Sequence, residues 1–214
     1  TRLRVSTADE TSVTGADEDR ISAIANRFLG AHALPGGVQI EVLESIPAHS
    51  GLGSGTQMAL AVGYAISQLY GLKLNARRIA EQLNRGNRSG IGIAAFEQGG
   101  FIVDGGRRAE GGVPRVISRL EYPRHWPVLL IFDTSKQCGL HGASERNAFH
   151  QLPEFPEDEA ARLCRLLVMQ LLPGLAERQM DDFGSTVTAI QQSVGHYFSP
   201  AQGGIYSSPA VSTA

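Results

Sequence analysis

The sequence predicts a mixed fold of helices and strands that divides into two parts near residues 107–120. Apolar residues recur at helical spacing after Asp17, whereas they alternate with polar residues over 38–43, as in a strand with one buried face. Glycines and charged residues fill the stretch 104–119, which is the best candidate for a domain boundary. Periodicity alone does not determine how these elements are connected in space.

Local signals delimit the individual elements. Acidic residues in the first turn and Gly30 near the end predict a helix over 17–30. A run of small and apolar residues predicts a central helix over 56–70, and Asn75 is a suitable cap for a helix over 76–84. Further predicted elements are a short strand within 99–106, a strand at 128–132, helices at about 157–172 and 176–193, and a loop over 199–214.

Composition excludes several classes of protein. The 214 residues are 42% hydrophobic and have a formal net charge of -2, so we expect a buried core and no general attraction to nucleic acid or an anionic membrane. The chain has neither a signal-peptide pattern nor a run of roughly eighteen apolar residues. Cys138 and Cys164 lack paired spacing, which favours a reducing compartment, the cytoplasm.

A glycine-rich turn at 47–56, between a predicted strand and a predicted helix, is the strongest functional signal. Glycines let the backbone approach phosphate oxygens, and the unpaired N–H groups of a first helical turn attract anions. Neither the Walker pattern nor G-x-G-x-x-G occurs, and composition leaves open a simple tight connection. The predicted phosphate-binding residues are Ser50, Gly51, Gly53, Ser54, Gly55 and Thr56.

The order of residues is more specific than their composition. Pro-x-x-x-Gly-Leu-Gly-Ser-Gly at 47–55 resembles the phosphate-binding motif of the GHMP kinase superfamily. Arg-Gly-Asn-Arg-Ser-Gly-Ile-Gly at 85–92 resembles the superfamily segment whose final aspartate is, in many of these kinases, the catalytic base or a charge stabiliser. Here that position is Gly92, which cannot accept a proton from a substrate hydroxyl.

Longer matches resemble one family, the β-ribofuranosylaminobenzene 5'-phosphate synthases. They lie at 47–57, 85–106, 139–142 and 200–204. Members of this family join phosphoribosyl pyrophosphate to 4-aminobenzoate or 4-hydroxybenzoate, with release of carbon dioxide and pyrophosphate, in methanopterin biosynthesis. They also carry further motifs near both termini, so the resemblance implies that this chain is part of a longer protein.

The resemblance also implies the architecture, an α+β fold of two domains with the ligand in the cleft between them. Residues 1–119 would form a GHMP N-terminal domain, which resembles part of a small-ribosomal-subunit protein. Residues 120–214 would form a truncated ferredoxin-like domain. Proteins of this family tend to form homodimers, so we expect one here.

The implied reaction requires positioning and electrostatics rather than an activated protein nucleophile. We expect Mg²⁺ on the pyrophosphate, with Glu97 and Asp104 as candidate metal ligands. A surface glutamate and a turn aspartate are the ordinary alternatives for these two. Catalytic roles are predicted for His49, Arg88 and Asp104, and substrate binding for Arg85, Ser89, His141 and Glu145.

Two other functions stay open. One is an ATP-dependent small-molecule kinase acting on a sugar or alcohol, since some superfamily kinases lack the aspartate. The other is a non-catalytic binding protein that retains the fold.

Overall fold

The computed structural model describes residues 1–48, 50–107, 111–132, 152–206 and 211. By its internal contacts the chain divides into two compact units, Thr1–Arg119 and Leu120–Ala214. The first unit contains both strands and helices, whereas the regular structure described after Leu120 is helical. The ferredoxin-like arrangement of the second unit therefore stays a prediction.

A three-stranded sheet forms one side of the first unit. Its strands are β1 (Arg2–Ala8), β2 (Ser12–Thr14) and β3 (Gly37–Glu44), and β3 lies in the middle, antiparallel to β1 and parallel to β2. The predicted strand at 38–43 is thus confirmed. The strands β1 and β2 were not predicted, because both are sheet edges whose residues are mostly exposed and polar.

Four helices accompany this sheet: α1 (Glu18–Ala31), α2 (Ser54–Leu69), α3 (Ala76–Gln82) and α4 (Ile91–Glu97). The predictions of the first three are confirmed, and α2 is central, since it contacts α1, α3, α4 and β1. The sequence did not predict α4, which is only seven residues long and follows a glycine-rich turn.

The helices approach one another closely at Gly63 in the middle of α2. A Cβ at this position would lie 3.2 Å from Leu83 Cδ1 and 3.4 Å from Phe28 Cε2, and it would overlap the Ile79 side chain. Close packing of this kind joins α1, α2 and α3 into one core. Its buried apolar residues are Ile21, Ile24, Ala25, Phe28, Leu29, Val38, Ile40, Met58, Ala59, Leu60, Val62, Ile66, Ala76, Ile79, Ala80, Leu83, Ile93 and Val113.

A second, two-stranded sheet pairs β4 (Phe101–Asp104) with β5 (Val116–Leu120). The strand expected within 99–106 is confirmed. The strand predicted at 128–132 is wrong: these residues have no regular secondary structure, and Leu129 is 83% exposed. An apolar run becomes a strand only when a neighbour pairs with it, and no strand does so in the part of the chain that is described.

The second unit contains two long helical segments. The first has a π-helical turn inside it, and the second continues to residue 202, so the loop predicted over 199–214 is wrong at its beginning. Pro200 lies inside this last helix. Among the described residues, no helix has both the length and the apolar composition needed to cross a membrane. The helical elements are α5 (Glu157–Leu166), a π-helix (Leu167–Leu171), α6 (Leu172–Ala176) and α7 (Met180–Gln202).

One carboxylate links α5 to α7 within this unit. Glu159 accepts hydrogen bonds from Arg162 Nη2 at 2.6 Å, Arg162 Nε at 2.7 Å and Ser193 Oγ at 2.5 Å. The hydrogen bonds from Arg162, followed by the one from Ser193, lower the pKa of Glu159 from 4.5 to about 2. The ionised form of this carboxylate therefore stabilises the helix pair.

We expect Gly63→Val to lower the free energy of unfolding by about 1–3 kcal/mol, because the new side chain has no room between α2 and α3. Chemical denaturation measures this change. The matched control is Gly30→Val on α1, where a Cβ meets nothing within 4 Å, and it should stay within about 0.5 kcal/mol of wild type. Equal losses in the two variants would contradict the close packing at Gly63.

Glu159 should make stability depend on pH in the acid range. Its folded-state pKa of about 2 lies below the ordinary 4.5, so its contribution is complete above about pH 4.5 and disappears as the pH falls towards 2. Glu159→Gln should remove this component from the pH dependence of the unfolding free energy, measured by urea denaturation. Glu157→Gln, a change of an exposed glutamate on the same helix, should retain it. Parallel profiles for wild type and Glu159→Gln would refute the assignment.

Candidate functional site

The glycine turn carries the chain from β3 into α2. Gly51 and Gly53 have φ angles of +76° and +69°, which glycine adopts far more readily than other residues. Gly53 is also the N-cap of α2 and provides no side-chain acceptor, while its carbonyl accepts from the N–H groups of Thr56 and Gln57. Among the described residues, the first N–H groups of α2 are thus left available to an anion.

The hydroxyl groups of the turn have different surroundings. Ser50 Oγ donates to the Pro47 carbonyl at 2.7 Å, so its proton is used to stabilise the turn. Ser54 begins α2 and is half-buried. The Thr56 side chain faces Gly92, where a Cβ would lie 3.2 Å from Thr56 Cγ2.

The second motif segment lies beside the first. Gln57 Nε2, in the first turn of α2, donates to the Gly92 carbonyl in α4 at 2.7 Å. Together with the Thr56 contact, this places the position of the expected kinase aspartate against the first turn of α2. The fold thus brings the two motifs of the resemblance into direct contact, and the residue at their meeting point has no acidic side chain.

Asp104 organises the loop that precedes α4. Its Oδ2 accepts from Ser89 Oγ at 2.7 Å and from the Gly90 N–H at 2.6 Å, and its Oδ1 accepts from the Gly106 N–H at 3.0 Å. These donors account for the carboxylate as a turn-forming group. Glu97 is exposed at the end of α4.

The structure leaves the predicted magnesium ligands as predictions. In the ranges that the structure describes, no group of three or more His, Cys, Asp or Glu residues is arranged to hold a metal ion. Mg²⁺ keeps several waters and needs only one or two carboxylates, so Asp104 and Glu97 stay candidate ligands.

Two arginines, Arg20 and Arg85, lie beside the beginning of α2. A Cβ at Gly55 would contact Arg20 Nη2 and would lie 4.0 Å from Arg85 Nη1. The Nε of Arg85 is buried and has no hydrogen-bond partner among the described residues. Burial, followed by the charges of Arg20 and Arg27, lowers the pKa of Arg85. Arg20 pairs with Asp17 at 3.7 Å, a distance that neutralises it only weakly.

The predicted site residues fall into three groups. Arg85, Ser89 and Asp104 lie close to the glycine turn or to the segment packed against it, and Arg88 is an exposed residue of the same loop. Glu97 lies at the other end of α4. His49, His141 and Glu145 lie outside the described residues.

Two residues near the site were missed from sequence, Arg20 and Gln57. Arg20 precedes the buried Ile21 on an amphipathic helix, where an arginine is ordinarily a solvated charge. Gln57 is the last residue of the matching segment at 47–57. No local signal distinguishes either residue, since both acquire their neighbours through the packing of α2 against α1 and α4.

Residues 19–100 match the model of the GHMP kinases N terminal domain. The matched range contains α1, β3, the glycine turn and the segment that carries Gly92, which are the parts that build the site. The match confirms the resemblance to the GHMP kinase superfamily that the motifs predicted, and the α+β fold class is confirmed.

The chain is also similar to beta-ribofuranosylphenol 5'-phosphate synthases. It is 40% identical over 168 residues to the Archaeoglobus fulgidus synthase, covering 73% of this chain and 53% of the relative. It is 37% identical over 169 residues to the Methanocaldococcus jannaschii synthase, covering 72% and 51%. A 4-diphosphocytidyl-2-C-methyl-D-erythritol kinase from Syntrophomonas wolfei is 27% identical over 144 residues, covering 67% and 47%. The chain spans about half the length of these curated relatives.

We expect Asp104→Asn to destabilise the first unit by about 1–3 kcal/mol, because an amide cannot accept all three hydrogen bonds and the charge is lost. Urea denaturation gives the free energy of unfolding. The control, Asp9→Asn, changes an exposed aspartate and should stay within about 0.5 kcal/mol of wild type. A similar, small effect in both variants would show that Asp104 does not organise the loop.

Proposed function

We propose that the protein is a decarboxylating phosphoribosyltransferase of the beta-ribofuranosylphenol 5'-phosphate synthase type, which acts in methanopterin biosynthesis. The observation that carries the proposal is the 40% identity to such a synthase across 73% of the chain. A ribofuranosylphenol product requires a ring hydroxyl, so 4-hydroxybenzoate is the favoured aromatic acid and 4-aminobenzoate the alternative.

The reaction makes one carbon–carbon bond and breaks two bonds. The ring carbon that bears the carboxylate attacks ribose C1 as the bond from C1 to the pyrophosphate oxygen breaks. The bond to the carboxylate then breaks, its electron pair restores the aromatic ring, and carbon dioxide leaves. Electrons from the para substituent activate the ring, and the attacking atom is a ring carbon that carries no hydroxyl group. The attack therefore does not require a base that removes a hydroxyl proton from it. The presence of Gly92 in place of an acidic residue fits this chemistry.

The departing pyrophosphate needs positive charge, and the site supplies it from two sources. The first turn of α2 presents backbone N–H groups at the positive end of the helix dipole. Arg85 adds a guanidinium whose buried Nε has no partner in the described part of the chain. Preorganised donors of this kind stabilise a leaving group without reorganisation during the reaction.

Mg²⁺ would enter with the pyrophosphate, and Glu97 and Asp104 are its candidate protein ligands. Roles for Arg88, Ser89 and the residues outside the described ranges stay predictions. A homodimer and a cytoplasmic location also stay predictions.

A small-molecule kinase that uses ATP is the second candidate. It is favoured by the 27% identity to the Syntrophomonas wolfei kinase and by the superfamily's domain model. Gly92 counts against it, because the position that faces the first turn of α2 lacks the expected acid. ADP formation from ATP with a panel of sugars and alcohols would test this candidate directly.

The purified protein should convert phosphoribosyl pyrophosphate and 4-hydroxybenzoate, in the presence of Mg²⁺, into equal amounts of carbon dioxide and pyrophosphate. Carboxyl-labelled substrate measures the first product and a coupled phosphate assay the second. Ser54→Phe should lower kcat/KM by about a hundredfold, because a bulky side chain at the start of α2 displaces the pyrophosphate. The control is Ser185→Phe, at an exposed position near the start of α7, and it should retain activity.

Two results would contradict the proposal. One is the absence of carbon dioxide release with both aromatic acids, under conditions in which the Archaeoglobus fulgidus synthase is active. The other is unchanged kcat/KM in Ser54→Phe. Pyrophosphate binding without any turnover would instead identify a non-catalytic binding protein.

A further inference from the structure

Two arginines, Arg20 and Arg85, lie near the start of α2. Arg20 belongs to α1, and Arg85 comes from the loop after α3. Arg27 lies two turns beyond Arg20 on the same side of α1. Burial, followed by the charges of Arg20 and Arg27, lowers the pKa of Arg85, so like charge beside Arg85 is unfavourable.

The described residues leave this charge largely uncompensated. Asp17 lies 3.7 Å from Arg20, and both side chains are more than a third exposed, so this pair contributes little. Arg85 Nε is buried and unpartnered in the described ranges. A buried donor without an acceptor is costly and rare, and like charges beside it add to the cost. The arrangement becomes favourable when an anion is bound among the guanidinium groups.

Gly55 shows where that anion would lie. A Cβ at this position would contact Arg20 Nη2, so the guanidinium lies directly over the first turn of α2. Arg85 Nη1 is 4.0 Å from the same point. Two guanidinium groups thus lie beside the first turn of α2.

The number of donors favours a pyrophosphate over a carboxylate. Each guanidinium has several N–H groups, and the helix adds its own, whereas one carboxylate can accept only about four hydrogen bonds. A pyrophosphate has more oxygens and more negative charge. It can therefore occupy both forks and the helix terminus at the same time.

We propose that Arg20 and Arg85 form a two-arginine clamp that holds the pyrophosphate group at the first turn of α2, beside Gly55. Arg20 is thus a substrate-binding residue contributed by α1. The identity of the pyrophosphate as part of phosphoribosyl pyrophosphate rests on the proposed function. Binding of inorganic pyrophosphate does not.

The test is calorimetric titration of the purified protein with inorganic pyrophosphate. Arg20→Gln and Arg85→Gln should each weaken binding by about tenfold or more, because each leaves a partner group unpaired. The matched control is Arg78→Gln, an exposed arginine on α3, and it should change the affinity by less than about twofold. Arg20→Lys should give an intermediate affinity, since it retains the charge and loses the fork.

A second readout separates the clamp from a structural role. Without ligand, Arg20→Gln should raise the melting temperature or leave it unchanged, because it relieves repulsion among the arginines. A structural role would lower the melting temperature and the affinity together, and that result would overturn the proposal.

Two further outcomes would also overturn it. One is pyrophosphate affinity in Arg20→Gln within twofold of wild type. The other is an increased KM for 4-hydroxybenzoate with unchanged pyrophosphate affinity, which would assign Arg20 to the aromatic carboxylate. If pyrophosphate binding depends on both arginines and no carbon dioxide is released, the clamp stands and the proposed function fails.

Discussion

The N-terminus of α2 has no side-chain cap among the described residues, and the guanidinium groups of Arg20 and Arg85 lie beside its first turn. This concentration of positive charge is the constraint on which the rest of the first unit depends. Gly51 and Gly53 shape the turn that leaves the N–H groups open, and Gly55 leaves space for Arg20. A positive site of this kind costs stability until an anion binds, so its groups must be held in place by contacts elsewhere.

The apolar core provides those contacts. Ile21 and Phe28 are fully buried on α1. They directly follow Arg20 and Arg27, respectively. Burial of these apolar side chains therefore determines where Arg20 lies, even though placing its charge beside Arg85 is unfavourable. The hydrogen bond from Gln57 to the Gly92 carbonyl and the bonds from Ser89 and Gly90 to Asp104 fix the loop that follows Arg85. Hydrophobic burial and a turn-forming carboxylate thus hold the unfavourable charges together.

Local signals in the sequence predicted the elements whose causes are local. Asn75 caps α3 as expected, accepting from the Arg78 N–H at 2.9 Å, and the glycine turn lies where its motif indicated. Elements with non-local causes were missed: β1 is an edge strand that exists because β3 pairs with it. The strand predicted at 128–132 is wrong for the same reason. These residues have the composition of a strand, but no strand in the described ranges pairs with them. Arg20 lies beside the first turn of α2 because α1 packs against α2, a contact that no local signal in the sequence predicts.

The arginines beside α2 and the glycine at position 92 favour the same kind of reaction, one that is limited by the departure of an anion. A side chain at position 92 would project against Thr56 in the first turn of α2, so a carboxylate there would add negative charge beside that turn. It would lower the positive potential that a departing pyrophosphate requires, because opposite charges at short range partly cancel. A reaction that removes a hydroxyl proton benefits from such a carboxylate, whereas one limited by the departure of an anion does not. Glycine at this position therefore both removes a base and preserves the anion site.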